Sequence, residues 1–227
     1  MLKHVLAPIH AEGWRFIAIF AVVTLVFFWL WQPLGWLGVV ATLWCVYFFR
    51  DPWRVSPQRD GLVISPADGL IIAVDEATPP PELGFGTEPM QRIAIFMSVF
   101  DVHVNRSPMP GRIAKKAYTE GKFLNASLDK ASLDNERMAI RLSTAHGDIG
   151  VTQIAGLVAR RIVSCINEGQ EMIAGQRIGI IRFGSRSEVF LPKGWSLQVC
   201  KGQRAVGGET VLADAISQEP LRRGTEH

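Results

Sequence analysis

No charged side chain occurs between Arg15 and Arg50. The 34 residues from Phe16 to Phe49 are dominated by Phe, Trp, Leu and Val, with four tryptophans among them. A run of this length and composition is hard to hide inside a domain of ordinary size, where large apolar side chains must share one core. It reads as a membrane-anchoring segment over residues 1–50, made of two short helices. Phe16–Trp31 reaches roughly 24 Å and Trp36–Phe49 about 21 Å as helix, each short of a hydrocarbon layer about 30 Å thick. Between them, Gln32-Pro33-Leu34-Gly35 predicts a break, since proline disfavours helix at the residue before it.

Three arrangements follow: a hairpin with both ends on one side, a re-entrant dip, or a single kinked span. Lys3, Arg15, Arg50, Arg54 and Arg59 flank the segment on both sides, which favours the first two and a cytoplasmic membrane face. A cleaved signal peptide is not indicated, because the apolar region is too long and no small-residue cleavage site follows it. The formal charge is +3, and no Lys/Arg stripe interleaves with aromatics, so nucleic acid is not an expected partner. Cys45, Cys165 and Cys200 are far apart without a CxxC spacing, so neither a disulfide framework nor a metal site is expected.

Residues 51–227 are ordinary globular material. Asp51 to Gly61 reads as a linker. Short β-branched stretches punctuated by Gly and Pro then predict strands at Leu62–Ser65, Leu70–Val74, Arg92–Val99, Gly111–Ala117, Met138–Ser143, Ile149–Ile154, Arg177–Phe183, Glu188–Leu191 and Ser196–Val199. Gly156–Ile166 reads as a short helix or an irregular element. The expected fold class is α+β and mostly β: a β-sandwich or barrel-sandwich-like domain behind an N-terminal hydrophobic helical hairpin.

One dipeptide in this β-rich part has chemistry of its own. In Arg182-Phe183-Gly184-Ser185-Arg186 the plain reading is a Gly-Ser turn between two strands. Glycine also admits strained or positive-φ backbone, and a serine hydroxyl can attack the carbonyl before it. An N→O acyl shift then gives an ester, and elimination followed by hydrolysis leaves a pyruvoyl group and ammonia. A lone Gly-Ser carries no such information.

Six further motifs accompany it in order: Ser65-Pro66-Ala67-Asp68-Gly69; Asp101-Val102-His103-Val104-Asn105-Arg106; Gly121-Lys122-Phe123-Leu124-Asn125-Ala126; Asn135-Glu136-Arg137; Gln153-Ile154-Ala155-Gly156 with Ala159-Arg160-Arg161-Ile162; and Gly208-Glu209-Thr210. With Val189-Phe190-Leu191-Pro192 after the Gly-Ser pair, the set resembles the short-form, pyruvoyl-dependent phosphatidylserine decarboxylase proenzymes, from about Asp51 to Leu212.

The resemblance implies self-cleavage between Gly184 and Ser185 into a 1–184 β chain and a 185–227 α chain that stay together. It implies a covalent pyruvoyl group made from Ser185 as the only cofactor. That group forms a Schiff base with phosphatidylserine, in an anionic membrane, and releases CO2 to give phosphatidylethanolamine. His103 is implied as acid/base and Asp68 as the residue that orients it, in the manner of a serine-histidine-aspartate arrangement.

Taken alone, His103 reads as a core histidine and Asp68 as an Asp-Gly turn residue. Long-form relatives carry a second histidine where this chain has Arg106, so the division of labour between self-cleavage and decarboxylation stays open. Arg106, Arg160 and Arg161 are candidates for phosphate or carboxylate, with structural ion pairs as the alternative. Gly207-Gly208 is a candidate for close backbone approach to the new carbonyl, with a plain turn as the alternative. Nothing in the sequence excludes a homo-oligomer. The competing reading from a different class is a membrane-tethered, non-catalytic β-sandwich binding module with an inert Gly184–Ser185 bond.

Overall fold

The computed structural model describes residues 7–121, 135–156, 161–182, 184–222 and 224–225. The chain divides into two compact units, Met1–Trp53 and Arg54–His227.

The first unit is a pair of helices, α1 (Gly13–Leu30) and α2 (Gln32–Phe48). The break between them is shorter than expected. Trp31 alone is extended, and Pro33 lies in the first turn of α2, where its missing N–H costs nothing. The two helices form a hairpin, because residues before α1 pair with residues after α2. His10 N–H donates to the Phe49 carbonyl at 2.8 Å and Asp51 N–H to the Pro8 carbonyl at 2.7 Å. That pairing excludes a single kinked span. Small residues set the helix contact: a Cβ at Gly35 would lie 2.3 Å from the Phe28 ring, and one at Gly38 would lie 2.7 Å from Thr24 Oγ1. The Thr24 and Thr42 hydroxyls meet at 3.0 Å across the pair. Outward, Trp14, Leu25, Trp29, Trp36 and Leu37 are exposed. By length and composition α1 is apolar enough to cross a membrane, and α2 is a shorter apolar helix.

The second unit is built on a curled sheet of eight strands. In sheet order these are β13 (Arg204–Ala205), β2 (Gly69–Ala77), β3 (Met90–Met97), β11 (Ser185–Leu191), β7 (Gly147–Ala155), β6 (Arg137–Thr144), β5 (Gly111–Thr119) and β9 (Glu171–Met172). Two three-stranded sheets complete it. One orders β1 (Leu62–Ile64), β14 (Val211–Asp214) and β12 (Ser196–Leu197), and the other β4 (Val104–Arg106), β10 (Arg177–Ile181) and β8 (Ile162–Ser164). The core packs Ile71, Ile93, Ile95, Met97, Ile140, Val151, Val189 and Leu191 against residues of the smaller sheets such as Val63, Ile178 and Leu212. The Gly156–Ile166 expectation is corrected in part: Ile162–Ser164 is a strand paired with β10, while 157–160 lie outside the described residues.

Strand β11 sits in the middle of the large sheet, between β3 and β7, and is buried along its whole length. Ser187, Val189 and Leu191 share one face with Ser185. The other face carries Arg186 and Glu188, paired at 2.6 Å inside the protein, with Arg92 Nη1 3.3 Å from the same Glu188 oxygen. A paired charge is the form in which burial is tolerated. Strands after Gly184 are woven into strands before it: β11 pairs with β3 and β7, β14 with β1, and β13 with β2.

Asp214 locks that weave at the end of β14. Burial pushes its carboxyl up. The Ile216 N–H at 2.9 Å, the Arg59 guanidinium and the Ser217 N–H at 3.1 Å together outweigh burial and hold it below the ordinary carboxylate range. A depressed folded pKa stabilises the fold above the unfolded value, and that contribution is lost as pH falls through the folded value. Asp214→Asn is therefore expected to lower the urea midpoint at neutral pH and to make the acid limb of the midpoint-versus-pH curve shallower. Parallel curves for the two proteins would contradict this assignment.

Candidate active site

The chain changes sheets at Gly184. Strand β10 ends at Ile181 in one three-stranded sheet, and β11 begins at Ser185 in the eight-stranded one. Gly184 makes the crossing with φ +65°, the left-handed region that glycine enters without a Cβ penalty. Around this residue the backbone and one imidazole are tied together.

His103 lies directly before β4 and is fully buried. Its Nδ1 is 3.0 Å from the Asp101 carbonyl oxygen, and its Nε2 is 3.1 Å from the Gly184 nitrogen. A carbonyl can only accept and a backbone N–H can only donate. The pair therefore dictates the neutral tautomer with the proton on Nδ1 and the lone pair on Nε2. The ring's own backbone is fixed too, since the Ile181 N–H donates to the His103 carbonyl at 3.2 Å. Asp101 is itself anchored: its carboxylate accepts from Ser98 N–H and Ser98 Oγ, both at 2.8 Å, and pairs with Arg204.

Ser185, the next residue along the chain, is fully buried. Its Oγ points at Met97 Sδ, 3.7 Å away, and Asn105 Nδ2 approaches the same sulfur at 3.5 Å. Gln153 Nε2 donates to Asn105 Oδ1 at 2.7 Å. The Gly184 carbonyl accepts the Gly156 N–H at 3.1 Å. Covalent geometry keeps a serine Oγ near the carbonyl carbon before it, and χ1 alone sets how the two face each other.

Asp68 occupies a neighbouring station. One carboxylate oxygen takes Arg54 Nη2 and the other the Gly207 N–H, both at 2.7 Å. Its loop meets the histidine's strand through the backbone, the Arg106 N–H donating to the Pro66 carbonyl at 2.8 Å. At Nδ1 the imidazole meets the Asp101 carbonyl. Gly69, which follows Asp68, has φ +155°, and a Cβ there would fall 2.1 Å from the Phe96 carbonyl oxygen. A Cβ at Gly207 would lie 3.0 Å from both the Ala67 carbonyl carbon and Asp68 Oδ1.

Arg106 is buried, with Nη1 donating to the Gly175 carbonyl at 3.0 Å. Arg161 is exposed, and its carbonyl accepts the Arg182 N–H at 3.3 Å. Arg160 and the segment 122–134, which contains most of the Gly121–Ala126 motif, lie outside the described residues. Among the described residues there is no group of three or more His, Cys, Asp or Glu arranged to hold a metal.

The structure thus brings His103, Gly184 and Ser185 together and adds Asp101, Met97, Asn105 and Gly156. Asn105 and Gly156 stand inside motifs quoted from the sequence, but their part here is a side chain on a sulfur and a backbone N–H. Asp101 acts through its carbonyl, which no residue type announces.

Comparison with known proteins places this geometry in a lineage. The family described as phosphatidylserine decarboxylase matches residues 41–213. A phosphatidylserine decarboxylase proenzyme from Cereibacter sphaeroides is 56% identical over 225 residues, covering 99% of this chain and 97% of that protein. Another phosphatidylserine decarboxylase proenzyme, from Beijerinckia indica, is 56% identical over 219 residues, covering 96% of this chain and 94% of its own length. With likeness at this level running from end to end, the chain belongs to the phosphatidylserine decarboxylase family.

Proposed function

We propose that this chain is a membrane-attached phosphatidylserine decarboxylase proenzyme that activates itself by cutting between Gly184 and Ser185. The observation that carries the reading is the unprotonated His103 Nε2 seated on the Gly184 amide, one residue from a buried serine hydroxyl.

In this reading His103 Nε2 takes the proton of Ser185 Oγ as it attacks the Gly184 carbonyl, then returns it to the Ser185 nitrogen. Ser185 is thereby joined to Gly184 through an ester. Loss of the Ser185 Cα proton breaks the Cβ–O bond and releases Gly184 as a carboxylate. The dehydroalanine left behind hydrolyses to a pyruvoyl terminus and ammonia.

A pyruvoyl group supplies an electron sink for decarboxylation of an amine-bearing acid, and the residues around Ser185 fit it. The position is buried and fixed on both sides by sheet pairing, and a neutral imidazole is next to it. After the cut the 1–184 and 185–227 fragments hold together, since β11 keeps its pairing with β3 and β7. His103 serves self-cleavage and is the candidate to move the proton in decarboxylation. Asp68, held by Arg54 and Gly207, orients His103 at one remove through the Pro66–Arg106 backbone bond. Arg106, Arg160 and Arg161 are assigned to the headgroup phosphate or the departing carboxylate. The apolar helix pair seats the chain on an anionic membrane at its cytoplasmic face.

Ser185→Ala is expected to leave one uncut 25.1 kDa chain with no decarboxylase activity, read by intact mass. An uncut and active variant would overturn the reading. His103→Gln is expected to slow the appearance of fragments by about 10²- to 10⁴-fold, the usual worth of a positioned general base, with a melting curve confirming that the precursor is folded. Cleavage at the unaltered rate would remove His103 from the mechanism. In mixed micelles the cut protein is expected to release CO2 from phosphatidylserine and not from free serine. The reverse preference would make it a soluble amino-acid decarboxylase, and a chain that stays whole would favour the binding module.

A further inference from the structure

We propose that the Gly156 backbone N–H is a catalytic group of the self-cleavage step: it receives the negative charge that forms on the Gly184 oxygen when Ser185 attacks. The inference rests on Gly184–Ser185 being the cut bond and names a donor that this reading does not require.

The argument starts from the ladder. Strands β7 and β11 run antiparallel with Ser185 opposite Ala155 and Arg186 opposite Ile154, so Gly184 and Gly156 are the next pair in register. A hydrogen-bonded antiparallel pair exchanges two N–H···O bonds. Here one is kept, Gly156 N–H to the Gly184 carbonyl at 3.1 Å. The Gly184 N–H is turned to His103 Nε2 instead, at the same distance. The left-handed backbone of Gly184 makes that split. The last rung of the sheet thus becomes a carbonyl on a fixed donor with a base beside it.

The donor is itself held. Gly156 N–H and the Ala155 carbonyl are two ends of one peptide unit, and that carbonyl accepts Asn135 Nδ2 at 2.7 Å from a fully buried asparagine. The Ala155 N–H donates to the Glu136 carbonyl at 2.9 Å. A hydrogen bond onto the carbonyl polarises the N–H at the other end of the same amide. Asn135 is accordingly a positioning residue.

The electron flow balances without a co-reactant. The Ser185 Oγ–H proton passes to His103 Nε2, Oγ bonds to the Gly184 carbonyl carbon, and the C=O pair moves onto oxygen. When the pair returns, the C–N bond breaks and the proton on His103 goes to the Ser185 nitrogen. The Gly156 N–H faces a neutral oxygen before and after and an anionic one between. A charge-assisted bond is stronger than a neutral one, so the contact stabilises the intermediate more than the ground state, which is the condition for acceleration.

The test replaces one atom group in the full-length chain. Gly156→glycolic acid, introduced during translation, exchanges the N–H for an ester oxygen. The control, Ala155→lactic acid, deletes the neighbouring backbone donor, the one that meets Glu136. Cleavage of freshly made chain is followed by intact mass. The 156 ester is expected to be cut about 10²- to 10³-fold more slowly, the usual loss for one such donor. The 155 ester is expected to be cut at close to the normal rate.

Should the 156 ester fail to fold, Asn135→Leu keeps the question open to measurement. It is expected to be cut more slowly than the 155 ester, and an equal rate would overturn the inference. Equal slowing of both esters, or none in the 156 ester, would mean that Gly156 is only a rung of the sheet. A wild-type chain that is never cut would sink the cleavage reading itself, a separate result.

Discussion

The structure turns on one residue's refusal to complete a β ladder. Gly184 stands where the chain leaves one sheet for another, and its left-handed backbone aims its N–H at an imidazole while its carbonyl stays on the neighbouring strand. A residue with a side chain would meet a steric penalty there. The local irregularity is supported by regular structure on every side. Strand β11 is central, β3 and β7 flank it, and the histidine's segment is pinned by β10.

That arrangement explains why the reactive groups face so little water. Ser185, His103, Asn105 and Gln153 are all fully buried, and Ser185, Asn105 and Gln153 form one short chain of contacts through the Met97 sulfur. In such surroundings each hydrogen bond counts for more than at a surface, and each unpaired group costs more. The Asp101 carbonyl, 3.0 Å from His103 Nδ1, accepts a proton there and so favours the tautomer with its lone pair on Nε2. In the proposed cleavage, proximity supplies much of the advantage, because attacking atom and target carbonyl belong to adjacent residues.

Much of this was legible in the sequence, and the remainder was hidden for definite reasons. The uncharged run between Arg15 and Arg50 predicts the helix pair, since composition over that length leaves few alternatives. The strand-rich second unit follows from β-branched runs between turn residues. The sequence pattern does not single out β4, β8, β9, β13 and β14, whose two to four residues carry little periodicity, while β1 and β12, equally short, lie in apolar runs beside turn residues. Pro33 reads as a break and proves to be a helix-starting residue, because a proline's effect depends on which turn it occupies. His103, Gly184 and Ser185 stand out by residue type and order. The Asp101 carbonyl and the Gly156 N–H do not, for every residue has a carbonyl and nearly every one an N–H. Asp68 stands out in sequence only as an Asp-Gly turn residue, and its bonds to Arg54 and Gly207, far from it in the chain, come only with folding.

The fate of the bond after Gly184 decides whether this chain activates itself. Intact mass of the wild-type protein, purified from cells with its helix pair in place, tests that directly. The predicted result is two fragments, 1–184 and 185–227, the smaller one lighter by one ammonia than a chain beginning with serine and resistant to amino-terminal sequencing. A fragment that begins with an unaltered serine, or a continuous chain that turns over lipid, would contradict it.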